Sequence, residues 1–161
     1  MLTTRDPHRT TRTAGASCKR EGEPLNHNRR NTCLPVLFIA GSRRFALHIQ
    51  NVYKMCRAAG ITTILGRAPD RLSPLYEDDT VDILHRIDQT DIVYVLAISG
   101  YVGRTVAAEV VYAHSQGKVI LSSELIHNSD VNARVTKIIP PGKLIAFIKT
   151  TAYDTIMKRV A

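Results

Sequence analysis

The stretch Asp91-Ile-Val-Tyr-Val-Leu-Ala-Ile-Ser-Gly-Tyr-Val-Gly-Arg-Thr-Val-Ala-Ala-Glu109 decides the fold. Asp91 to Ile98 is the most hydrophobic run in the chain. An unbroken apolar run of this length, bounded by turn signals, is how a strand buried on both faces reads. Ser99 to Gly103 supplies the turn. The spacing then predicts a helix from about Arg104 to Gln116, closed by Gly117 in the C-cap role.

Working outward, the same unit recurs on both sides. Upstream, Pro35 to Ala40 reads as a first strand, Gly41-Ser42-Arg43-Arg44 as a turn, and Phe45 to Ala59 as a helix. In that helix Phe45, Ile49, Val52, Met55 and Cys56 recur at steps of three and four before Gly60. Ile61 to Leu65 is β-branched between two glycines and makes a second strand. Residues 66–76, with Pro69 and Pro74, form a loop, and Asp79 to Gln89 form a helix through Val81, Leu84 and Ile87. Downstream, Lys118 to Leu121 is the fourth strand. A helix at Asn128–Val135, a strand at Leu144–Ile148 after Pro140-Pro141-Gly142, and a final helix at about Ala152–Val160 complete the reading. Strands alternating with helices give an α/β protein: a doubly wound parallel sheet of about five strands in three layers, Rossmann- or flavodoxin-like.

The length of 161 residues suits one such domain, and 44% hydrophobic with 22% charged residues is a globular composition. The 22 basic against 14 acidic side chains give a formal charge of +8, which taken whole suggests an anionic or nucleic-acid partner. Its distribution weakens that idea. Residues 1–33 hold seven Lys/Arg against three acids, so half of the excess lies there. That segment has no apolar periodicity and is expected to be a disordered basic tail, with the folded domain at 34–161. No aromatic is interleaved with its arginines, so no nucleic-acid partner is expected. An organelle transit peptide, a weak nucleic-acid tether or an upstream extension are alternatives for the tail. Nothing resembles a signal-peptide core or a membrane span, and a cytoplasmic protein without membrane association is expected. Cys18, Cys33 and Cys56 form an odd set with no C-x-x-C, which excludes a disulfide framework and a zinc ribbon. Neither a metal nor a cofactor is expected.

Parallel sheets of this kind bind ligands beyond the carboxyl ends of their strands, where the strand order reverses. Two turns occupy that rim. The first offers Gly41, the Ser42 hydroxyl and the guanidiniums of Arg43 and Arg44, a set suited to an anion or sugar phosphate. A Ser N-cap beside two solvated arginines is the alternative. In the second turn Gly100 and Gly103 let the backbone approach a ligand closely, Tyr101 can stack on or cover a ring, and Thr105 brings a hydroxyl to the helix start. Glu109 lies four residues after Thr105 on the same helical face. It is the one acid in a helix otherwise made for burial, with Ala107, Ala108, Val110, Val111 and Ala113 around it. Such a carboxyl is either satisfied by the neighbouring backbone or held as a nucleophile or general base.

The strings Leu84-His-Arg-Ile-Asp-Gln-Thr-Asp-Ile-Val-Tyr-Val95, Gly100-Tyr-Val-Gly-Arg-Thr-Val-Ala-Ala-Glu-Val-Val-Tyr-Ala113 and Gly117-Lys118 resemble the nucleoside 2-deoxyribosyltransferase superfamily, which includes nucleotide N-glycosidases. The resemblance covers about residues 36–121. It implies that Glu109 is the catalytic glutamate, attacking the anomeric carbon of a nucleoside or nucleotide to give a glycosyl-enzyme intermediate. It implies that Gly41, Ser42 and Arg43 meet the sugar or its 5′-phosphate, and that Thr105 stands where relatives have Ser. Glycoside chemistry of this kind commonly uses a second carboxyl for the leaving group. Asp82, His85 and Asp88 are the available groups, with Asp82 favoured. Ala97, Ser99 and Arg104 depart from the family pattern, and Arg104 in place of an acid favours a phosphorylated substrate. Relatives are often dimers or larger, so a homo-oligomer is implied. Alternative readings are a non-catalytic nucleotide sensor on the same fold and a phosphoribohydrolase of the cytokinin-activating type, whose Gly-Gly-x-Gly-Thr turn Gly100–Glu109 echoes distantly.

Overall fold

The computed structural model describes residues 34–66 and 80–150. The expected tail at 1–33, nearly all of the 66–76 loop and the expected helix at 152–160 lie outside the described residues. Among those described, five strands alternate with helices. They are β1 (Leu37–Gly41), α1 (Ala46–Ala58), β2 (Thr63–Leu65), α2 (Thr80–Asp88), β3 (Ile92–Leu96), α3 (Arg104–Ser115), β4 (Val119–Ser122), α4 (Ser129–Asn132), β5 (Lys137–Ile138) and α5 (Pro141–Lys149). A single 3-10 turn, Arg43–Phe45, leads into α1.

All pairings are parallel and the order is β2-β1-β3-β4-β5. This is the flavodoxin-like arrangement, with its reversal between β1 and β3. In a pleated strand successive side chains point to opposite faces, and the apolar runs of β1, β3 and β4 feed two cores in alternation. Leu37, Ile39, Tyr94, Leu96, Val119 and Leu121 pack with Ile49, Val52 and Cys56 of α1 and with Leu144 and Ile148 of α5. Phe38, Ala40, Val93, Val95 and Ile120 pack on the other face with Ile83 and Ile87 of α2, Val106, Val110 and Ala113 of α3, and Val131 of α4. The sheet is thus the middle of three layers.

Two polar side chains of these layers, Tyr94 and Lys118, have backbone partners. Tyr94 lies fully buried in the first core, and its hydroxyl donates to the Ile139 carbonyl at 2.9 Å. Burial and the nearby Cys56 raise its phenol well above the usual range. Lys118 donates to the carbonyls of Asp88 (2.9 Å) and Thr90 (2.7 Å). Its cation thereby sits at the carboxyl-terminal end of α2, where the helix dipole favours it.

The C-terminal third corrects the sequence reading. The fifth strand is Lys137–Ile138 rather than Leu144–Ile148, and the latter segment is α5. Pro141 in the first turn of α5 supplies the helical φ and lacks an N–H that would go unpaired there. Leu144 and Ile148 are one helical turn apart and share the buried face. The helix expected over 128–135 is the single turn of α4, where Asn128 accepts from the Val131 N–H at 3.1 Å.

Candidate active site

The site grows out of the reversal in strand order. A cavity of about 300 Å³ opens at the carboxyl ends of β1 and β2, under the amino end of α3. This is within the size range of small-ligand sites. Its walls come from Ile39 to Arg43, from Ile49 and Gln50 of α1, from Leu65 and Gly66, from Ile83 of α2, and from Gly103, Thr105, Val106 and Glu109.

Gly41 is required where β1 ends, because a Cβ there would stand 2.9 Å from Ile49 Cδ1. Removing the side chain lets α1 close onto the strand end and turns the chain outward at Ser42 and Arg43. Ser42 makes no side-chain cap, so its hydroxyl stays with the cavity wall rather than with the helix. At the other wall Gly103 takes the N-cap position of α3 with an extended backbone and no side-chain cap. The first amides of α3 therefore lack an intrahelical acceptor beside Thr105 and Val106.

Glu109 lies three residues, nearly a full turn, beyond Val106 on the inward face of α3 and is 7% exposed. Gly66 borders it: a Cβ on Gly66 would stand 3.7 Å from Glu109 Oε1, an ordinary contact distance, and a tighter 3.3 Å from Phe38 Cζ. Among the described residues nothing donates to the carboxyl or pairs with it. Burial alone pushes it from the ordinary 4.5 up to about 7, because the charged form loses hydration without a compensating partner. A solitary carboxyl poised near neutrality in a cavity is the state expected of a group that acts on a ligand.

The remaining residues singled out in the sequence divide clearly. Gly41, Ser42, Arg43, Gly103, Thr105 and Glu109 share the cavity. Gly100, Tyr101, Arg104 and Asp82 are not among its lining residues. Gly100 (φ +67°) donates its N–H to Glu124 Oε1 at 2.6 Å, and a Cβ there would fall 2.4 Å from His127 Cδ2. Its positive φ and its crowding by His127 are what require glycine in this turn. Tyr101, 38% exposed, stands on the rim with the Arg44 guanidinium 4.2 Å above its ring and Phe45 edge-on. Arg104 is exposed at the start of α3. Asp82 is exposed on α2 and pairs with Arg86 one turn on. His85 is exposed beside Gln89, and Asp88 accepts from the Tyr112 hydroxyl at 2.8 Å. Among the described lining residues Glu109 is the one carboxyl. Sequence reasoning passed over Leu65, Gly66, Gln50 and Ile83. The end of β2 is a strand terminus like those of β1 and β3, and the rule that ligands bind beyond such termini applies equally to Gly66.

Strand order and layering are those of the 2-deoxyribosyltransferase-like α/β fold. One solved structure of this fold is the 2-deoxyribosyltransferase from Bacillus psychrosaccharolyticus. It superposes with a TM-score of 0.55 at 16% identity, over 68% of this chain and 90% of that one. A conserved protein from Enterococcus faecalis V583 superposes with a TM-score of 0.54 at 11% identity, over 73% of this chain and 98% of that one. No protein-family model and no curated protein matches the sequence, and the likeness is one of fold. Among the described residues no helix is long and apolar enough to cross a membrane, and no group of His, Cys, Asp and Glu side chains is placed to hold a metal ion.

Proposed function

We propose that the protein cleaves the N-glycosidic bond of a nucleoside or nucleoside 5′-monophosphate, with Glu109 as nucleophile. The observation that carries this reading is the unpartnered, buried Glu109 carboxyl in a cavity at the strand-order reversal of a 2-deoxyribosyltransferase-like fold. In the ionised state Glu109 attacks the anomeric carbon as the bond to the base breaks, and the base departs with the bonding electrons and takes a proton from solvent. Water then hydrolyses the glycosyl ester, or a second base displaces it, and the carboxylate is restored. Asp82, exposed and paired with Arg86, has no part in this scheme as a proton donor. Ser42 and Arg43, with the uncapped amides at the start of α3, provide hydrogen bonds and positive charge for a sugar phosphate on the open side.

Purified protein incubated with ribo- and deoxyribonucleosides and their monophosphates is expected to release free base, and Glu109→Gln to stop release while the fold persists. Base release that persists in Glu109→Gln would overturn the nucleophile. The rate for wild type should rise as pH passes through about 7, as Glu109 ionises. Absence of turnover on every member of the panel, with ligand-dependent thermal stabilisation, would establish the sensor reading instead.

A further inference from the structure

One wall of the cavity that holds Glu109 lies at the end of β2. That wall is Gly66, the residue after β2, which lines the same cavity as Glu109 and on which a Cβ would come within van der Waals distance, 3.7 Å, of Oε1. β2 has three residues and pairs with β1 on one side, so its carboxyl end depends on other contacts. Among the described residues α2 supplies such a contact. Arg86 Nη1 donates to the carbonyls of Leu65 (3.2 Å) and Gly66 (3.4 Å), and Nη2 is bound by Asp82 Oδ2. One planar guanidinium thus joins a strand end to a helix, and α2 itself supplies Ile83 to the same cavity.

We propose that Arg86 is a positioning residue for Glu109: it grips the Leu65 and Gly66 carbonyls and so keeps the Gly66 backbone against the carboxyl, with Asp82 fixing the guanidinium. Arginine suits this task because its donors form a rigid fork, which a lysine ammonium cannot reproduce. As an exposed pair on a helix, Asp82 and Arg86 contribute little to stability in themselves. Their importance lies in where the fork points. Asp82 therefore belongs to the support of the site, acting on Glu109 through Arg86 and Gly66. Among the described residues, charged groups on the elements bordering the cavity include Arg43 on the turn after β1, Asp82 and Arg86 on α2, and Arg104 at the start of α3. Asp82 and Arg86 offset one another, so replacing both at once leaves the net charge beside Glu109 unchanged.

That neutral exchange is the test. Arg86→Lys and the double variant Asp82→Asn with Arg86→Gln are compared with wild type in two ways. The first follows the Glu109 carboxyl by carbon-13 NMR titration, assigned by its loss in Glu109→Gln. With the wall loosened, water reaches the carboxyl, and its midpoint should fall from about 7 by one pH unit or more toward the ordinary 4.5 in the double variant, with Arg86→Lys intermediate. The second is base release, which rests on the function proposed above. There kcat should drop by about tenfold to a hundredfold with KM changed by less, as expected when a reacting group is displaced by a fraction of an ångström. A midpoint that stays at about 7 in both variants overturns the proposal, whatever happens to kcat. If the double variant melts below the assay temperature, Arg86→Lys carries the test alone. Should wild type release no base from any substrate, the proposed function fails and the titration still decides the role of Arg86.

Discussion

Replacing Glu109 by Gln keeps the shape of the side chain and removes its titration, so the pH dependence of stability isolates the cost of burying this carboxyl. In the unfolded chain the group titrates at the ordinary 4.5, and in the fold it is pushed up to about 7. Between those values the folded state holds a proton that the unfolded state has released, and wild-type stability must fall as pH rises. The stability relative to low pH is fully present below 4.5 and is lost by the time pH has passed 7. The loss amounts to about 3 kcal/mol, from 1.36 kcal/mol for each pH unit between the two midpoints. Glu109→Gln carries no such loss. The difference in unfolding free energy, variant minus wild type, should be constant below pH 4.5, climb between 4.5 and 7, and level off about 3 kcal/mol higher. Any fixed cost of burying an amide enters the constant and leaves the climb untouched. The assay is urea unfolding at a series of pH values from 4 to 8, followed by far-ultraviolet circular dichroism, since the chain has no Trp. Stability curves for the two proteins that run parallel across this range would refute the reasoning, because Glu109 would then be as well solvated or partnered in the fold as out of it.

Other substitutions test the framework around the site. Gly100→Ala should destabilise well beyond Gly60→Ala: both residues have positive φ, but a Cβ at 100 also lands 2.4 Å from His127 while none approaches at 60. The shared backbone strain is about 1 kcal/mol, and thermal melts should show the excess at 100. Tyr94→Phe removes the donor to the Ile139 carbonyl and should cost about 1–3 kcal/mol in denaturant unfolding. Gly66→Ala puts a methyl 3.7 Å from Glu109 Oε1 and 3.3 Å from Phe38. It should reduce base release by about tenfold or more, with stability changed by little, in parallel activity and melting measurements.

The fold was legible where the physics is local. The strands Leu37–Gly41 and Ile92–Leu96 are buried on both faces, so they carry no charged residue and stand out as apolar runs. Glu109 stood out for the opposite reason, as a charge on a helix face that must be buried. The C-terminal third was not legible in this way. Lys137–Ile138 is two exposed residues whose strand character comes wholly from pairing with β4. Leu144-Ile-Ala-Phe-Ile148 has five apolar residues in a row, too few for period alone to separate strand from helix. Val111, read as part of a buried face, is in fact exposed on α3. In the site, Arg86 and Gly66 were invisible because their relation spans 20 residues and is made through backbone carbonyls, which no side-chain pattern encodes. The pairing of Asp82 with Arg86 is at the i,i+4 spacing that a helix pattern does encode, but the grip of Arg86 on Leu65 and Gly66 appears in three dimensions alone.

The two outer strands of the sheet bear on how the molecule meets its own kind. An outer strand offers unpaired N–H and C=O groups to any other extended chain, and long flat ones template aggregation. Here β2 ends the sheet with three residues and β5 with two, one of them Lys137. Neither is long enough to register an incoming strand over more than one or two hydrogen-bonded pairs, and Lys137 places a charge where an apolar partner would have to lie. Association of this chain with itself is thus steered away from strand addition and toward contacts between helices and loops. That keeps the outer edge of β2, whose Leu65 lines the cavity with Glu109, clear of any growing sheet.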